Sequence, residues 1–215
     1  MGEGNPQAKT APLDETTALS LARRIINQEV ETLRELAEGL EGVFWKCAQR
    51  ISECPGMVWT TGVGTSAAVA ARFAHILNCC GRRSMFLHPS DSLHGHSGAL
   101  RPGDLLIGMS RGGESSEVNQ LVAIADQLNV STMAFVHDTD STLARSCQAV
   151  LPIRSRQEYE LQEVLATTST VAFCAMCDAL AAVVWELRGH TLEEFRRTHP
   201  GGAVGKELHG GKAGR

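Results

Sequence analysis

Aromatic side chains are scarce in this chain of 215 residues: Phe, Trp and Tyr together make up 5%, and Tyr occurs once. Positive charge is not abundant either. Lys and Arg number 20 against 24 Asp and Glu, for a formal net charge of −4. A nucleic-acid surface needs a basic field and stacking aromatics, so both shortages argue against one. The opening residues, MGEGNPQAKTAPLDE, hold no apolar run and do not read as a signal peptide. No window approaches the ~20 apolar residues that span a bilayer, so the expectation is a cytoplasmic protein without a membrane partner.

A disulfide framework is missing too. The seven Cys are odd in number, and Cys79 and Cys80 are adjacent. Cys174 and Cys177 form a C-x-x-C inside the apolar run TSTVAFCAMCDALAAVVWEL, where positions three apart share a helix face. No second C-x-x-C completes a tetrahedral site, so the pair reads as small buried hydrophobes. His94 and His96 flank Gly95, yet no third ligand follows from the spacing, and no metal is expected. There is no G-x-x-x-x-G-K-[ST], which excludes an ATP P-loop. The third glycine of a dinucleotide fingerprint is replaced by Ala67. No cofactor is expected.

What remains is a clear rhythm. After a loose segment 1–13, apolar residues at Leu19, Ala22, Ile26, Val30, Leu33 and Leu36 repeat with helical spacing, and a second helix carries Val43, Phe44, Cys47 and Ile51. Five strand-like runs follow at 57–61, 84–88, 104–110, 131–136 and 149–153. Helical stretches lie between most of them, at 66–80, 115–128 and 141–147. Short apolar strands alternating with helices imply right-handed crossovers and a parallel sheet covered on both faces. A long helix from Thr167 to Leu187 follows, then a short one opened by a capping box of Thr191 and Glu194. The expected architecture is α/β: a three-layer sandwich around a five-stranded parallel sheet, with an N-terminal helical extension. It forms one domain over 14–208, with a loose tail at 209–215.

Ligands of such sheets bind beyond the carboxyl ends of the strands. Two loops there carry chemistry. Gly62-Val63-Gly64-Thr65-Ser66 and Ser110-Arg111-Gly112-Gly113-Glu114-Ser115-Ser116 each join a strand to a helix. Free N–H groups at helix starts, glycines that let the backbone turn tightly, and hydroxyls make a phosphate cradle. Each loop alone could be a capped tight turn; two in one sheet point to a phosphate site. Of the other histidines, His75 lies in an apolar helix and reads as a satisfied core residue. His137, His190 and His209 fall in turns or the tail and carry no signal.

The order GxGxS, HPxxxxHG (His88 to Gly95), DLLIGMSRGGESSE, TTST and THPGGAVGKEL resembles the sugar isomerase (SIS) family. Within it, the chain is most similar to the D-arabinose 5-phosphate isomerases in a form without CBS modules. The resemblance runs from about Asp14 to Leu208. It implies a phosphate pocket built from Gly64, Thr65, Ser66, Ser110, Arg111, Ser115, Thr168, Ser169 and Thr170. It implies catalytic roles for Glu158, His199, His94 and Glu114, and a homo-oligomer, dimer or tetramer, in which a histidine crosses into the neighbouring subunit's site. Thr65 stands where the family has Lys, and Arg111-Gly112 where it has Asn-Ser. Arg111 either holds phosphate bidentately or lies at the surface. Glu158, with Glu160 and Glu163 nearby, suits either a general base or a solvated acidic loop.

The implied activity is aldose–ketose isomerisation of arabinose 5-phosphate to ribulose 5-phosphate through an enediol, which needs a base, an acid and polar groups for the oxyanion. Another SIS enzyme, such as a hexulose-phosphate isomerase or a sugar-phosphate lyase, and a non-catalytic phosphosugar sensor stand as alternatives.

Overall fold

The computed structural model describes residues 13–155 and 165–209. Helix α1 (Glu15–Glu38) starts on Asp14, whose carboxylate accepts a hydrogen bond from Thr17 N at 2.7 Å. Helix α2 (Gly42–Glu53) leads into strand β1 (Val58–Gly62). Then come α3 (Thr65–Cys79), β2 (Ser84–Phe86), a single turn α4 (Pro89–Ser92) and a 3-10 turn at His96–Ala99. The alternation continues with β3 (Leu105–Met109), α5 (Ser116–Gln127), β4 (Ser131–Val136), α6 (Thr142–Ser146) and β5 (Ala149–Pro152). The chain closes with α7 (Thr168–Arg188), α8 (Leu192–Thr198) and α9 (Gly202–His209).

All strand pairs are parallel, in the order β2-β1-β3-β4-β5. The expected sandwich is therefore present, with every expected strand. Alternation divides the strand side chains between two cores. Leu105, Ile107, Met109, Met133, Phe135 and Leu151 pack under α2, α3 and α7, with Phe73, Leu77, Ile51 and Leu180. On the other face Leu106, Ala134 and Val136 meet Val118, Leu121 and Val122 of α5 and Leu143 of α6. At Gly108 any side chain would press on Val118 and Leu143, so this glycine lets α5 and α6 lie close on β3. Asp104 anchors the opposite, amino end of the sheet. Its buried carboxylate accepts from Met57 N (2.7 Å), Trp59 Nε1 (2.9 Å) and Arg101 N (3.0 Å).

Two expectations are corrected. Among the described residues one helix, α7, is long and apolar enough to cross a membrane by length and composition. In this fold it packs against α1, α2 and α3, and its apolar face closes the first core, which accounts for its composition. His75 is not a core residue. It is exposed, because α3 turns Val69, Phe73 and Leu77 inward while His75 sits on the outward row with Ala68 and Arg72. The alanine-rich sequence concealed that polarity.

Candidate functional site

In the strand order, the chain leaves β1 for β2 on one side, whereas β3 continues to β4 on the other. A crevice opens where such connections diverge, beyond the carboxyl ends of β1 and β3. The register pairs Gly62 with Met109, so both chemically loaded loops start side by side at that point.

Each loop is shaped by its glycines. A Cβ on Gly62 would stand 2.9 Å from the backbone of Ser66, and Gly64 has φ +60, which L side chains rarely adopt. The turn thus delivers Thr65 and Ser66 directly onto the first turn of α3. In the second loop Ser110 Oγ accepts from Gly113 N at 3.0 Å and lies 3.2 Å from Ser115 Oγ. Gly113, at φ +68, leaves no space for a side chain beside the Ser141 hydroxyl.

Three helices begin at this crevice, α3, α5 and α7, and none has a side-chain cap. Ser115, the N-cap residue of α5, turns its hydroxyl to Ser110 rather than to its own helix. Elsewhere Asp14, Ser141 and Thr191 cap α1, α6 and α8, while α2 and α4 also start without a side-chain cap. The positive ends of the helix dipoles favour an anion between them. Thr65, Ser66, Arg111, Ser169 and Thr170, with Val69, Ala166 and Phe173, line a pocket of about 20 Å³ there. That is room for roughly one water, so an entering phosphoryl group must move the Arg111 side chain aside or draw it round itself.

A larger cleft of about 380 Å³ lies at the β5 edge, among α1, α2 and α7. Its lining includes Glu35, Glu41, Leu36, Phe44 and Met176, with Arg154 as the cation. Two carboxylates and an apolar wall suit an anion poorly. Donor chemistry therefore favours the smaller pocket.

The expected residues divide into three groups. Thr65, Ser66, Arg111, Ser169 and Thr170 line one pocket, and Gly64, Ser110 and Ser115 belong to the two loops beside it without lining it. Thr168 is fully buried at the start of α7. Glu114 does not line the pocket. It accepts from Thr142 N at 2.8 Å, at the N-terminus of α6, and this bond holds its carboxyl below the usual range. His94 stands exposed in the turn after α4, and Glu158 lies outside the described residues.

His199 lies far from the pocket. Its Nε2 is 3.3 Å from Cys79 Sγ, at the far end of α3. The fifteen residues of α3 separate Cys79 from Thr65 by about 21 Å at 1.5 Å per residue. A side chain on Gly205 would collide with the carbonyls of His199 and Pro200, so the glycine-rich turn after His199 is tightly folded. One chain therefore cannot bring His199 to its own phosphate pocket in this arrangement.

His137 was not expected at the site. It directly follows β4, at the same end of the sheet, and its Nδ1 accepts from Ser155 N at 3.2 Å. Burial, then the nearby Arg111 and Arg154 cations, lower its pKa. Its sequence signal was positional: it stands next after a strand, as Ser110-Arg111 do after β3.

A family model described as SIS domain matches residues 53–183. Arabinose 5-phosphate isomerase KdsD of Escherichia coli K12 is 32% identical over 186 residues, 86% of this chain and 57% of that protein. Arabinose 5-phosphate isomerase GutQ of Salmonella typhi is 32% identical over 190 residues, 88% of this chain and 59% of that one. The chain thus spans less than two thirds of the length of these relatives. A crystal structure of a Listeria monocytogenes protein described as a sugar-phosphate isomerase has a TM-score of 0.84 at 30% identity, covering 87% of this chain and 99% of that one. An Escherichia coli CFT073 protein in complex with arabinose 5-phosphate has a TM-score of 0.83 at 24% identity, covering 87% and 100%. With more than half its length matched by the family model, and the sheet order and both βα loops in place, the chain belongs to the SIS domain family.

Proposed function

We propose that this protein is a sugar-phosphate aldose–ketose isomerase acting on arabinose 5-phosphate or a close relative, in the cytoplasm, as a dimer or tetramer with shared sites. The observation that carries the reading is the convergence of the starts of α3 and α7, their hydroxyls and Arg111 on one pocket at the sheet's switch point. Relatives at 32% identity named arabinose 5-phosphate isomerases support the reaction class.

In this reading Ser66, Ser110, Ser115, Ser169, Thr170 and Arg111 hold the phosphate dianion. Glu158 takes the proton from C2 of the open-chain sugar and returns it to C1, through an enediol. A carboxylate covered by substrate loses solvation, which raises its pKa toward neutrality and strengthens it as a base. His199 of a neighbouring chain serves ring opening or proton shuttling, because its distance from its own pocket leaves it available only in trans. His94 supplies polar support. Glu114, engaged at the start of α6, acts by shaping the Ser110–Ser115 loop.

Exchange of the substrate's C2 hydrogen with deuterated water, followed by NMR, tests the reading. Wild type should exchange, and Glu158→Gln should lower kcat by about 100-fold or more with little change in binding. The engagement of Glu114 in capping favours a second reading, a phosphosugar sensor without turnover. Tight binding with neither exchange nor isomerisation of any pentose, hexose or heptose phosphate would select it.

A further inference from the structure

His199 does not stand alone at the end of α3. Its Nδ1 lies 2.9 Å from the carbonyl oxygen of Phe195, which can only accept. The Thr198 hydroxyl, 3.0 Å from the same nitrogen, donates its own proton to that carbonyl at 3.0 Å. Nδ1 must therefore carry the proton of the neutral ring, and Nε2 keeps the lone pair. Nε2 faces Cys79 Sγ at 3.3 Å, so the thiol is the donor. Burial raises the pKa of Cys79, which keeps that thiol protonated at neutral pH. A thiol has one proton to give, so on its other side sulfur accepts from Nε2–H of the exposed His75, 3.7 Å away. The imidazole also stacks on Phe195 with ring centroids 3.7 Å apart and 14° between planes. Stacking fixes the plane of the ring; the two nitrogen partners fix which way round it sits.

Among the described residues no three His, Cys, Asp or Glu side chains are gathered to hold a metal ion. The row His75–Cys79–His199 is thus a succession of hydrogen bonds rather than a set of ligands around one point.

We propose that Cys79 is a positioning residue for His199: the Phe195 carbonyl keeps the proton on Nδ1, the Cys79 thiol holds and aims Nε2, and His75 steadies the thiol from behind. The proposal rests on the reading of His199 as the group that serves a neighbouring chain's sugar. A sugar hydroxyl arriving there takes the thiol's place as donor to Nε2, with no change of tautomer. The imidazole then enters the reaction already holding its proton on Nδ1 and its lone pair toward substrate, which spares a reorganisation step.

Nitrogen-15 NMR of the histidines in the whole protein, without substrate, reads the pairing independently of turnover, with His199→Ala identifying the signal. Wild type should show the Nδ1–H tautomer with Nε2 as a hydrogen-bonded acceptor. Cys79→Ala should shift Nε2 toward a free acceptor, and Cys79→Ser, which keeps a donor, should restore the pattern. An Nε2–H ring in wild type, or a spectrum that Cys79→Ala leaves unchanged, overturns the proposal. In turnover Cys79→Ala should lower kcat by about ten-fold at unchanged KM, the worth of one hydrogen bond, and Cys79→Ser should recover most of it. If His199→Ala abolishes turnover while Cys79→Ala leaves kcat intact, the proposal fails and the role of His199 stands. If neither substitution affects turnover, the reading of His199 fails and takes this one with it.

Discussion

At the scale of single residues, Arg111 decides how the pocket treats charge. It lines the pocket beside Ser66 and Thr170, and among the described residues its guanidinium is the cation in that lining. Arg111→Ala should raise KM for the phosphorylated sugar more than Ser115→Ala does, because a bidentate charged contact outweighs one hydroxyl. Ser115→Ala alone should cost roughly 1–3 kcal/mol of binding, and an unchanged KM for Arg111→Ala would put that side chain outside the binding step. Asp104 is the matching test for the scaffold, since its carboxylate satisfies three N–H groups at the amino end of β1 and β3. Asp104→Ala should lower the unfolding free energy by about 2–4 kcal/mol in urea titration, leaving a buried indole N–H unpaired. Hydroxyls and glycines of the two loops could be read from sequence because their chemistry is local. Other roles depended on contacts distant in the chain. Glu114 reaches Thr142, 28 positions on, and His199 reaches Cys79, 120 positions back.

At the scale of elements, the helix starts are the working parts. The first turns of α3 and α7 line one pocket, so an anion there should sit against both helix starts. Inorganic phosphate should raise Tm in a saturable way, a sugar phosphate should raise it more, and the free sugar should not raise it. Arg111→Ala should weaken the response, and equal shifts for sugar and sugar phosphate would remove the cradle. The junction of β4 and β5 carries a pH signature of its own. His137 has a lowered pKa, so the unfolded chain takes up a proton near the ordinary histidine value while the folded chain does so only at lower pH. Stability present above that ordinary value should therefore decline as pH falls through it. His137→Asn should flatten the slope of Tm against pH there. The five strands and long helices were legible because buried strands and core helices write themselves as apolar runs with a period. The turn α4 and helix α9 were not, since Pro89-Ser90-Asp91-Ser92 and the glycines around 201–205 carry no such period.

At the scale of the whole molecule, the separation between His199 and the pocket makes a single chain incomplete for the proposed chemistry. Apolar surface is available for association: Ile26 on α1 is 58% exposed, Trp45 on α2 47%, and Leu187 on α7 borders the same open side as Trp45. Light scattering should give a dimer or tetramer, and a monomer at micromolar concentration would count against shared sites. Co-refolding Glu158→Gln with His199→Ala, each inactive alone, should recover up to about a quarter of wild-type activity in mixed dimers, because one site in each mixed pair is intact. No recovery, with mixing verified, would mean that both residues serve one chain. The order of the elements along the chain also governs how the protein can be made. The sheet's first core is closed by α7, which begins at residue 168, after all five strands. A nascent chain that has delivered every strand but not α7 therefore presents Leu105, Ile107, Met109, Met133 and Phe135 on a face that only α2 and α3 cover. Until synthesis passes residue 188 the unfinished polypeptide depends on chaperones or on speed to escape aggregation, and truncation before α7 should yield inclusion bodies rather than a smaller folded unit.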